Sequence, residues 1–263
     1  MSLVEYHLDG DAIGVLTLNR PVARNSLSLD MLEALQERLD RIAKDPAIRC
    51  IVVAAKGPVF CAGHDLKELT AHRGDSDAGR AFFTQTMDAC GRVMRGIAEL
   101  PQPVIAAVEG VATAAGAQLV ASCDLVVAAA SARFCTPGVD IGLFCTTPGV
   151  ALARTMSRKH AMEMLLLGEM IPAAEAHRMG LVNRVVPPGE AFAAALGLAR
   201  RIADRSAIAL RMGKRGFHQH APQGLADAYA RAGQVMVENL LAEDAAEGIQ
   251  AFLGKRPPTW RHR

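Results

Sequence analysis

The fold of this chain is indicated most clearly by the stretch PVIAAVEGVATAAGAQLVASCDLVV, residues 103–127. Its first part, which ends at Glu109 and Gly110, is an apolar run of the length of a buried strand. The small residues ATAAGA follow over residues 112–117, then QLVASCD has the pattern of a helix, and a second apolar run begins at Leu125. This order of strand, turn of small residues, helix and strand predicts that the two strands are parallel, with the helix packed outside the sheet.

The same alternation of strands and helices extends through the first half of the chain. An alternating apolar pattern around Asp9 and Gly10 predicts a β-hairpin, and the next helix begins near Ser28, whose hydroxyl can cap it. From about residue 190 the pattern is almost entirely helical, and RPPTW stops the last helix. We therefore predict an α/β core over residues 1–190 and a helical region over residues 191–263.

The composition excludes several classes of protein. Of 263 residues, 51% are hydrophobic and the formal net charge is +2, which disfavours a disordered or nucleic-acid-binding chain. No apolar run is long enough to span a membrane, and the first residues, MSLVEYHLDGD, resemble neither a signal peptide nor a transit peptide. Six cysteines without a CxxC pair predict reduced thiols, and eight scattered histidines predict no metal site. We therefore expect a cytoplasmic protein.

Two loops with few side chains each follow an apolar strand and precede a helix. They are FCAGHDLKEL, residues 60–69, and the ATAAGA turn. Asp65 can cap the helix after the first loop, and the N–H groups just before a helix are not used by the helix itself. Two such N–H groups directed at one point would form an oxyanion hole, which stabilises negative charge on a substrate oxygen. Close packing of strand and helix is the other explanation of these small residues.

These loops also carry a resemblance to a known family. VFCAGHDLKEL and PQPVIAAVEGVATAAGAQLVASCDLVVAAASARFCTPGVDIGL are similar to the two signatures of the crotonase (enoyl-CoA hydratase/isomerase) family, and LNRPVARNSLS and AFLGKRPPTW are similar to its flanks. The resemblance implies an α/β fold, a spiral of strand–strand–helix turns followed by a helical trimerisation region. It implies homotrimers or dimers of trimers that bind acyl-CoA thioesters in fatty acid metabolism, with no tightly bound cofactor. GVATAAGAQLVASCD and TPGVDIGLFCTTPGVALAR are most similar to one group within the family, whose substrate the motifs do not reveal.

The same resemblance assigns residues to the substrate. The thioester oxygen would accept hydrogen bonds from the backbone N–H groups of His64 and Ala115. The wall of the acyl pocket would include part of the segment Thr70–Met94. The coenzyme A moiety would lie near Ala23, Arg24, Ala62, Asp65, Leu66, Phe252 and Lys255. Arg24 and Lys255 are cations suited to phosphate groups, although an ordinary solvated surface cation is the other interpretation of each.

Two positions depart from the family pattern. Hydratases of the family use two glutamates, and the matching positions here hold Gln118 and Gly138. Addition of water to an enoyl thioester needs a base and an acid. The amide of glutamine can act as neither, and glycine has no side chain. Ordinary hydratase activity is therefore doubtful from the sequence.

Other side chains near these positions are candidates for proton transfer. Asp140 would share a face with Gly138 if this segment were a strand, but it can also be an exposed or capping carboxylate. Cys145, followed by Thr146, is a candidate nucleophile or else a buried inert thiol. Glu109 is better explained as structural than as catalytic.

Three hypotheses for function remain. The chain is an enzyme that polarises a CoA thioester and carries out a divergent reaction, such as thioester hydrolysis or decarboxylation. Alternatively, it is an ordinary hydratase whose acid and base lie elsewhere, or a non-catalytic acyl-CoA-binding or structural homologue. No nucleic acid or membrane partner is expected.

Overall fold

The computed structural model describes residues 2–263, and all structural statements below concern this range. The strands are β1 (Val4–Asp9), β2 (Ile13–Leu18), β3 (Cys50–Ala55), β4 (Val59–Cys61), β5 (Val104–Val108), β6 (Val111–Thr113), β7 (Leu125–Ala129), β8 (Arg133–Cys135), β9 (Ile171–Pro172) and β10 (Arg184–Val186). The helices are α1 (Leu29–Ile42), α2 (Leu66–Ala71), α3 (Arg80–Glu99), α4 (Ala115–Ser122), α5 (Thr146–Thr155), α6 (Arg158–Leu167), α7 (Ala173–Met179), α8 (Ala191–Ala203), α9 (Ala207–His220), α10 (Leu225–Leu240) and α11 (Glu243–Leu253).

The first two strands form the predicted hairpin. They pair antiparallel, with Asp9 opposite Ile13. Gly10 in the turn has a φ of 64°, a left-handed conformation that glycine adopts without steric cost. The predicted start of α1 is also confirmed, because the Ser28 hydroxyl accepts a hydrogen bond from the Met31 N–H at 3.3 Å.

The ten strands of residues 2–263 form two sheets. The larger sheet has the order β1-β2-β3-β5-β7-β10, and all of its pairs after the hairpin are parallel. The smaller sheet has the order β4-β6-β8-β9. Along the chain, β3 and β4, β5 and β6, and β7 and β8 each place one strand in the larger sheet and the next in the smaller one. This repeated two-strand turn, with a helix after it, is the spiral that the family resemblance implied, and the α/β fold prediction is confirmed.

Close contact between successive turns of the spiral requires a glycine. A β-carbon placed on Gly110 would lie 2.0 Å from the Pro58 carbonyl oxygen. Glycine at the junction of β5 and β6 therefore allows this turn of the spiral to pack on the backbone of the previous one.

The predicted boundary at residue 190 divides the chain by composition rather than by packing. Helix α8 lies after that boundary, yet it packs against β3, β5 and β7 of the larger sheet. Helices α9, α10 and α11 pack mainly against one another, with α9 also touching α3. The domain boundary stays a prediction, and the packing favours a position after α8.

The structure bears on two expectations, one about membrane-spanning segments and one about the cysteines. Within residues 2–263, no helix is both long and apolar enough to cross a membrane. All six cysteines are free, and burial raises the pKa of Cys50, Cys61 and Cys90 to about 12. These three thiols are therefore protonated and unreactive at neutral pH.

Candidate functional site

The candidate site lies at one edge of the smaller sheet. Strands β4, β6 and β8 are parallel to one another, so the segments that follow them leave the sheet at the same edge. The first of these segments carries His64, the second carries Ala115 and Gln118, and the third carries Gly138. The sheet thus brings together the predicted oxyanion residues and the two positions that depart from the family pattern.

The first two segments touch through their backbones. A β-carbon on Gly63, whose φ is 87°, would lie 3.3 Å from the Ala115 nitrogen and 2.9 Å from the Ala114 β-carbon. A β-carbon on Gly116 would lie only 2.2 Å from the Cys61 carbonyl oxygen. Close packing therefore explains the small residues of both loops, and it places the segment before His64 against the start of α4.

Both predicted N–H donors are available for a ligand. Within residues 2–263, neither the His64 nor the Ala115 N–H donates to a protein acceptor. Ala115 is the first residue of α4, where a helix leaves its N–H groups unpaired and carries partial positive charge. An oxygen that bears negative charge is the group best suited to this position.

Gln118 and Gly138, which stand where the family pattern has two glutamates, supply no carboxylate beside these donors. Gln118 is 5% exposed, and its Oε1 accepts a hydrogen bond from the Cys90 thiol at 3.9 Å. Gly138 is buried, and the chain folds back on it so that its carbonyl oxygen accepts from the Leu143 N–H at 2.9 Å. Neither position therefore supplies a group that can transfer a proton.

Comparison with known proteins agrees with this geometry. The family model described as enoyl-CoA hydratase/isomerase matches residues 9–263.

The chain belongs to the enoyl-CoA hydratase/isomerase family.

Its relatives include the Homo sapiens protein named enoyl-CoA hydratase domain-containing protein 3, mitochondrial. The two are 47% identical over 252 residues, which is 96% of this chain and 82% of that protein. The crystal structure of that human protein superposes with a TM-score of 0.92 at 46% identity, covering 98% of this chain and 100% of the other. An enoyl-CoA hydratase structure from Mycobacterium smegmatis superposes with a TM-score of 0.93 at 45% identity and 98% coverage of each chain. The human protein belongs to the group that the two motifs of this sequence most resemble.

The comparison contradicts the expected cytoplasmic location, because the human relative is named a mitochondrial protein. The expectation depended on the reduced thiols and on the first residues of the chain. Reduced thiols do not distinguish one reducing compartment from another, and the folded domain itself carries no information on location.

The backbone is strained at the end of the ATAAGA turn, just before α4. Ala114 has a φ of 51° and a ψ of −120°, in a region that glycine occupies far more readily than alanine. The residue that precedes the Ala115 N–H is thus held in an unfavourable backbone conformation by its surroundings.

Replacing Ala114 with glycine is expected to raise the free energy of unfolding by about 1 kcal/mol, since the relief of strain exceeds the added entropy of the unfolded chain. For a chain of this length the expected rise in Tm is about 2–4 °C. Differential scanning calorimetry checks this, with Ala112→Gly on the adjacent strand as a control that should destabilise. An unchanged or lower Tm for Ala114→Gly would show that the loop is not strained.

Cys145 fills the space beside Gly138. A β-carbon on Gly138 would lie 2.8 Å from the Cys145 Sγ and 3.1 Å from the Leu143 carbonyl oxygen. Burial raises the pKa of the Cys145 thiol, and the Gly138 backbone offsets only part of this. Cys145 is therefore a protonated packing group at neutral pH and not an activated nucleophile.

Gly138→Glu is expected to destabilise the protein by about 1–3 kcal/mol, since the new side chain must displace the packed segment over residues 143–145. Cys145→Ala in the same chain should recover about half of that loss by removing the nearest atom. Urea denaturation of both single variants and the double variant measures this coupling. Strictly additive effects would show that Cys145 does not restrict position 138.

Asp140 does not take the place that the sequence suggested. Residues Pro137–Ile141 form a 3₁₀-helix rather than a strand, so two residues of separation no longer place side chains on one face. The exposed Asp140 carboxylate lies near Gly168, whose β-carbon would be 3.5 Å from Oδ1. The expectation of a shared face with Gly138 is wrong for this physical reason.

The other candidate acid–base groups are engaged elsewhere or neutral. Glu109 accepts hydrogen bonds from the Gly189 and Ala191 N–H groups at 2.9 and 2.7 Å, which caps α8. The His64 ring is largely buried, and this burial lowers the pKa of His64 by more than a backbone interaction with Leu27 raises it, so the ring is neutral at pH 7. The Thr146 hydroxyl is exposed and donates to the Phe144 carbonyl.

The residues assigned to coenzyme A fall into two groups. In the first, the Ala62 N–H donates to the Arg24 carbonyl at 3.0 Å and the Leu27 N–H donates to the Gly63 carbonyl at 2.8 Å. Ala23, Arg24, Ala62, Asp65 and Leu66 are thereby held in two adjacent segments. Phe252 and Lys255 lie instead at the end of α11, where Phe252 is 82% exposed.

Asp65 is held by a residue that the sequence did not single out. It caps α2 through the Lys67 and Glu68 N–H groups, as predicted, and also pairs with the Arg20 guanidinium at 2.8 Å. Burial alone would raise the pKa of Asp65, but the Glu68 N–H and Arg20 together lower it. Asp65 is therefore an ionised anchor of the first loop. Arg20 could be recognised only from the fold, because 45 residues separate it from Asp65.

Proposed function

We propose that this protein binds an acyl-CoA thioester and polarises its carbonyl oxygen between the backbone N–H groups of His64 and Ala115. The observation that carries this proposal is the close approach of Gly63 to the start of α4, since a β-carbon placed on Gly63 would lie 3.3 Å from the Ala115 nitrogen. This approach supports a site in which the unpaired N–H of His64, the residue after Gly63, acts together with the Ala115 N–H at the positive end of α4. Family membership supplies the substrate class.

Coenzyme A is assigned to the surface next to these donors. Ala23, Arg24 and Ala62 lie in segments that are hydrogen-bonded to each other beside His64. The Arg24 side chain is exposed there, and its guanidinium suits a phosphate. Phe252 and Lys255 complete this assignment from the end of α11, in the same subunit or in a neighbouring one.

The second part of the proposal is that hydration is not the activity of this site. Gln118 and Gly138 provide no proton-transfer group, Glu109 caps α8, and Asp140 is an exposed carboxylate near Gly168. Donors without an acid–base pair suit decarboxylation, in which cleavage of the C–C bond places charge on the thioester oxygen without a base. Thioester hydrolysis also develops charge on that oxygen, and here the attacking water would have to lose its proton to solvent. The same observation also favours a second candidate, a non-catalytic acyl-CoA-binding homologue.

A homotrimer or a dimer of trimers is proposed as the assembly. The helices after α8 expose large apolar side chains, which a soluble monomer rarely gathers on one region. They include Leu225, Tyr229, Met236, Leu241 and Phe252. Size-exclusion chromatography with light scattering distinguishes these assemblies from a monomer.

Calorimetry and rate measurements on the wild-type protein test the function. We expect butyryl-CoA to bind more tightly than free CoA, and crotonyl-CoA hydration to be about 10⁴-fold or more below that of hydratases with both glutamates, since each missing group contributes about 10²–10⁴. Failure of both CoA and butyryl-CoA to bind would overturn the proposal, and rapid hydration would overturn its second part. Release of free thiol from acyl-CoA substrates separates an enzyme from a binding protein.

A further inference from the structure

The segment after α11 folds back onto the start of α9. Residues 256–263 form neither helix nor strand, and this segment is called the strap below. The Trp260 indole N–H donates to the Asp204 carbonyl at 3.0 Å. Its ring packs on α11 at Gly248, where a β-carbon would lie 3.1 Å from the indole. The strap therefore joins α11 to the residues between α8 and α9.

Asp244, at the start of α11, anchors the strap. Its buried carboxylate accepts hydrogen bonds from the backbone N–H of Arg261 at 2.7 Å and from that of His262 at 3.0 and 3.1 Å. The same carboxylate accepts from the Ser206 hydroxyl at 2.6 Å. That hydroxyl caps α9 by accepting from the Ala209 N–H at 3.3 Å. One carboxylate thus links the strap, α11 and the first turn of α9.

The His262 ring completes this junction as a hydrogen-bond acceptor. Its Nδ1 lies 3.2 Å from the backbone nitrogen of Ala207, the first residue of α9, and 3.2 Å from Nη1 of Arg49, which precedes β3. A backbone N–H and a guanidinium can only donate, so Nδ1 carries no proton. The ring is therefore neutral, and through it the strap holds both α9 and the core.

A proton on Nδ1 would remove both of these hydrogen bonds. It would turn the acceptor into a donor that faces two other donors, and it would place an imidazolium beside the Arg49 guanidinium. Burial lowers the pKa of His262, the Arg49 charge lowers it further, and Asp244 only partly offsets them. The other charged residues on the neighbouring parts of these elements, exposed or paired with one another, are Asp204, Arg205, Glu243, Arg261 and Arg263.

We propose that the strap is an acid-sensitive device: protonation of His262 Nδ1 releases it from Ala207 and Arg49, so that helices α9–α11 are held less tightly to the core. This inference concerns the attachment of the helical region and does not depend on the proposed function. The released ring has the usual histidine pKa of about 6.5, and the ring in the closed strap has a lower one. The strap is therefore most firmly closed above about pH 7. Its equilibrium constant for release rises below about pH 6.5, by up to about 10-fold per pH unit.

Hydrogen exchange of the wild-type protein measures this release. The backbone amides that the junction protects are those of Ala207, Arg261 and His262. We expect their protection factors, corrected for intrinsic exchange rates, to fall about 5-fold or more between about pH 7.5 and about pH 5.5. The amides of β5, in the middle of the larger sheet, are the internal reference and should change less than about 2-fold.

His262→Asn tests which group responds to pH. The asparagine oxygen can accept in place of Nδ1 but does not titrate. Asparagine also tolerates the left-handed backbone at this position, where φ is 63°. We expect this variant to keep the protection seen at neutral pH and to lose its pH dependence. His7→Asn, at an exposed position of β1, is the matched control and should keep the wild-type dependence.

Nitrogen NMR of the His262 ring in the wild-type protein decides the matter even if His262→Asn fails to close the strap. We expect the Nε2–H tautomer at neutral pH and titration below about pH 6.5. The Nδ1–H tautomer, or titration at or above that pH, would overturn the inference, because Nδ1 would not be the acceptor. Equal protection at both pH values would also overturn it, and so would a pH dependence that survives in His262→Asn.

Discussion

Gly116→Ala is expected to lower the free energy of unfolding by about 3 kcal/mol and to weaken acyl-CoA binding about 100-fold. A β-carbon at this position would lie 2.2 Å from the Cys61 carbonyl oxygen and 2.8 Å from the Cys61 carbonyl carbon. These are backbone atoms at the end of β4, so no side chain can rotate away. Helix α4 must instead move off the smaller sheet, and the Ala115 N–H moves with it, away from His64.

The two effects have separate measurements. Urea denaturation gives the loss of stability, and calorimetry with butyryl-CoA gives the loss of affinity. Gly91→Ala on α3 is a matched control, because a β-carbon there meets no atom within 4 Å. It should stabilise the protein by up to about 1 kcal/mol through helix propensity. Wild-type stability and affinity in Gly116→Ala would mean that the contact between α4 and β4 does not determine the site.

Lys214→Met is expected to cost about 3–5 kcal/mol, the usual effect of removing one partner of a buried ion pair. The Lys214 side chain is 8% exposed, and its Nζ donates to Asp124 Oδ2 at 2.6 Å. It also donates to the Ile97 and Gln102 carbonyls, each at 3.0 Å. Methionine keeps much of the volume but leaves a carboxylate and two carbonyls without this donor. Helix α9 is thereby expected to detach from the core, because Lys214 joins the helical region to α3 and to the segments that precede β5 and β7.

Urea denaturation at fixed protein concentration measures this effect, since assembly makes apparent stability depend on concentration. Lys56→Met is the control, because its pair with Glu5 is largely exposed and such pairs are worth at most about 1 kcal/mol. Asp124→Asn combined with Lys214→Met should lose less than the sum of the single variants. A loss below about 1 kcal/mol in Lys214→Met would show that the buried pair does not hold α9.

Much of the fold could be predicted from the sequence because the signals are local. The hairpin at Asp9 and Gly10, the Ser28 cap and the Asp65 cap each depend on residues within a few positions of one another, and all three are present. The smaller sheet could not be predicted from such local signals. Its strands have two or three residues each, too few for any periodicity. The only trace of them is a short apolar segment followed by small residues, which recurs in VFCAG, VATAAG and RFCTPG.

The same distinction between local signals and contacts made by the folded chain applies to the site. The sequence by itself determined the family, the small residues of the two loops and the departures at Gln118 and Gly138, because these are identities at single positions. Only the tertiary structure decided what surrounds them: Cys90 against Gln118, Cys145 against Gly138, Arg20 against Asp65, and Asp140 turned toward Gly168. These contacts join residues from different elements, or depend on whether a segment is a strand or a 3₁₀-helix. Such choices are made by packing and hydrogen bonding between distant parts of the chain, which no local pattern encodes.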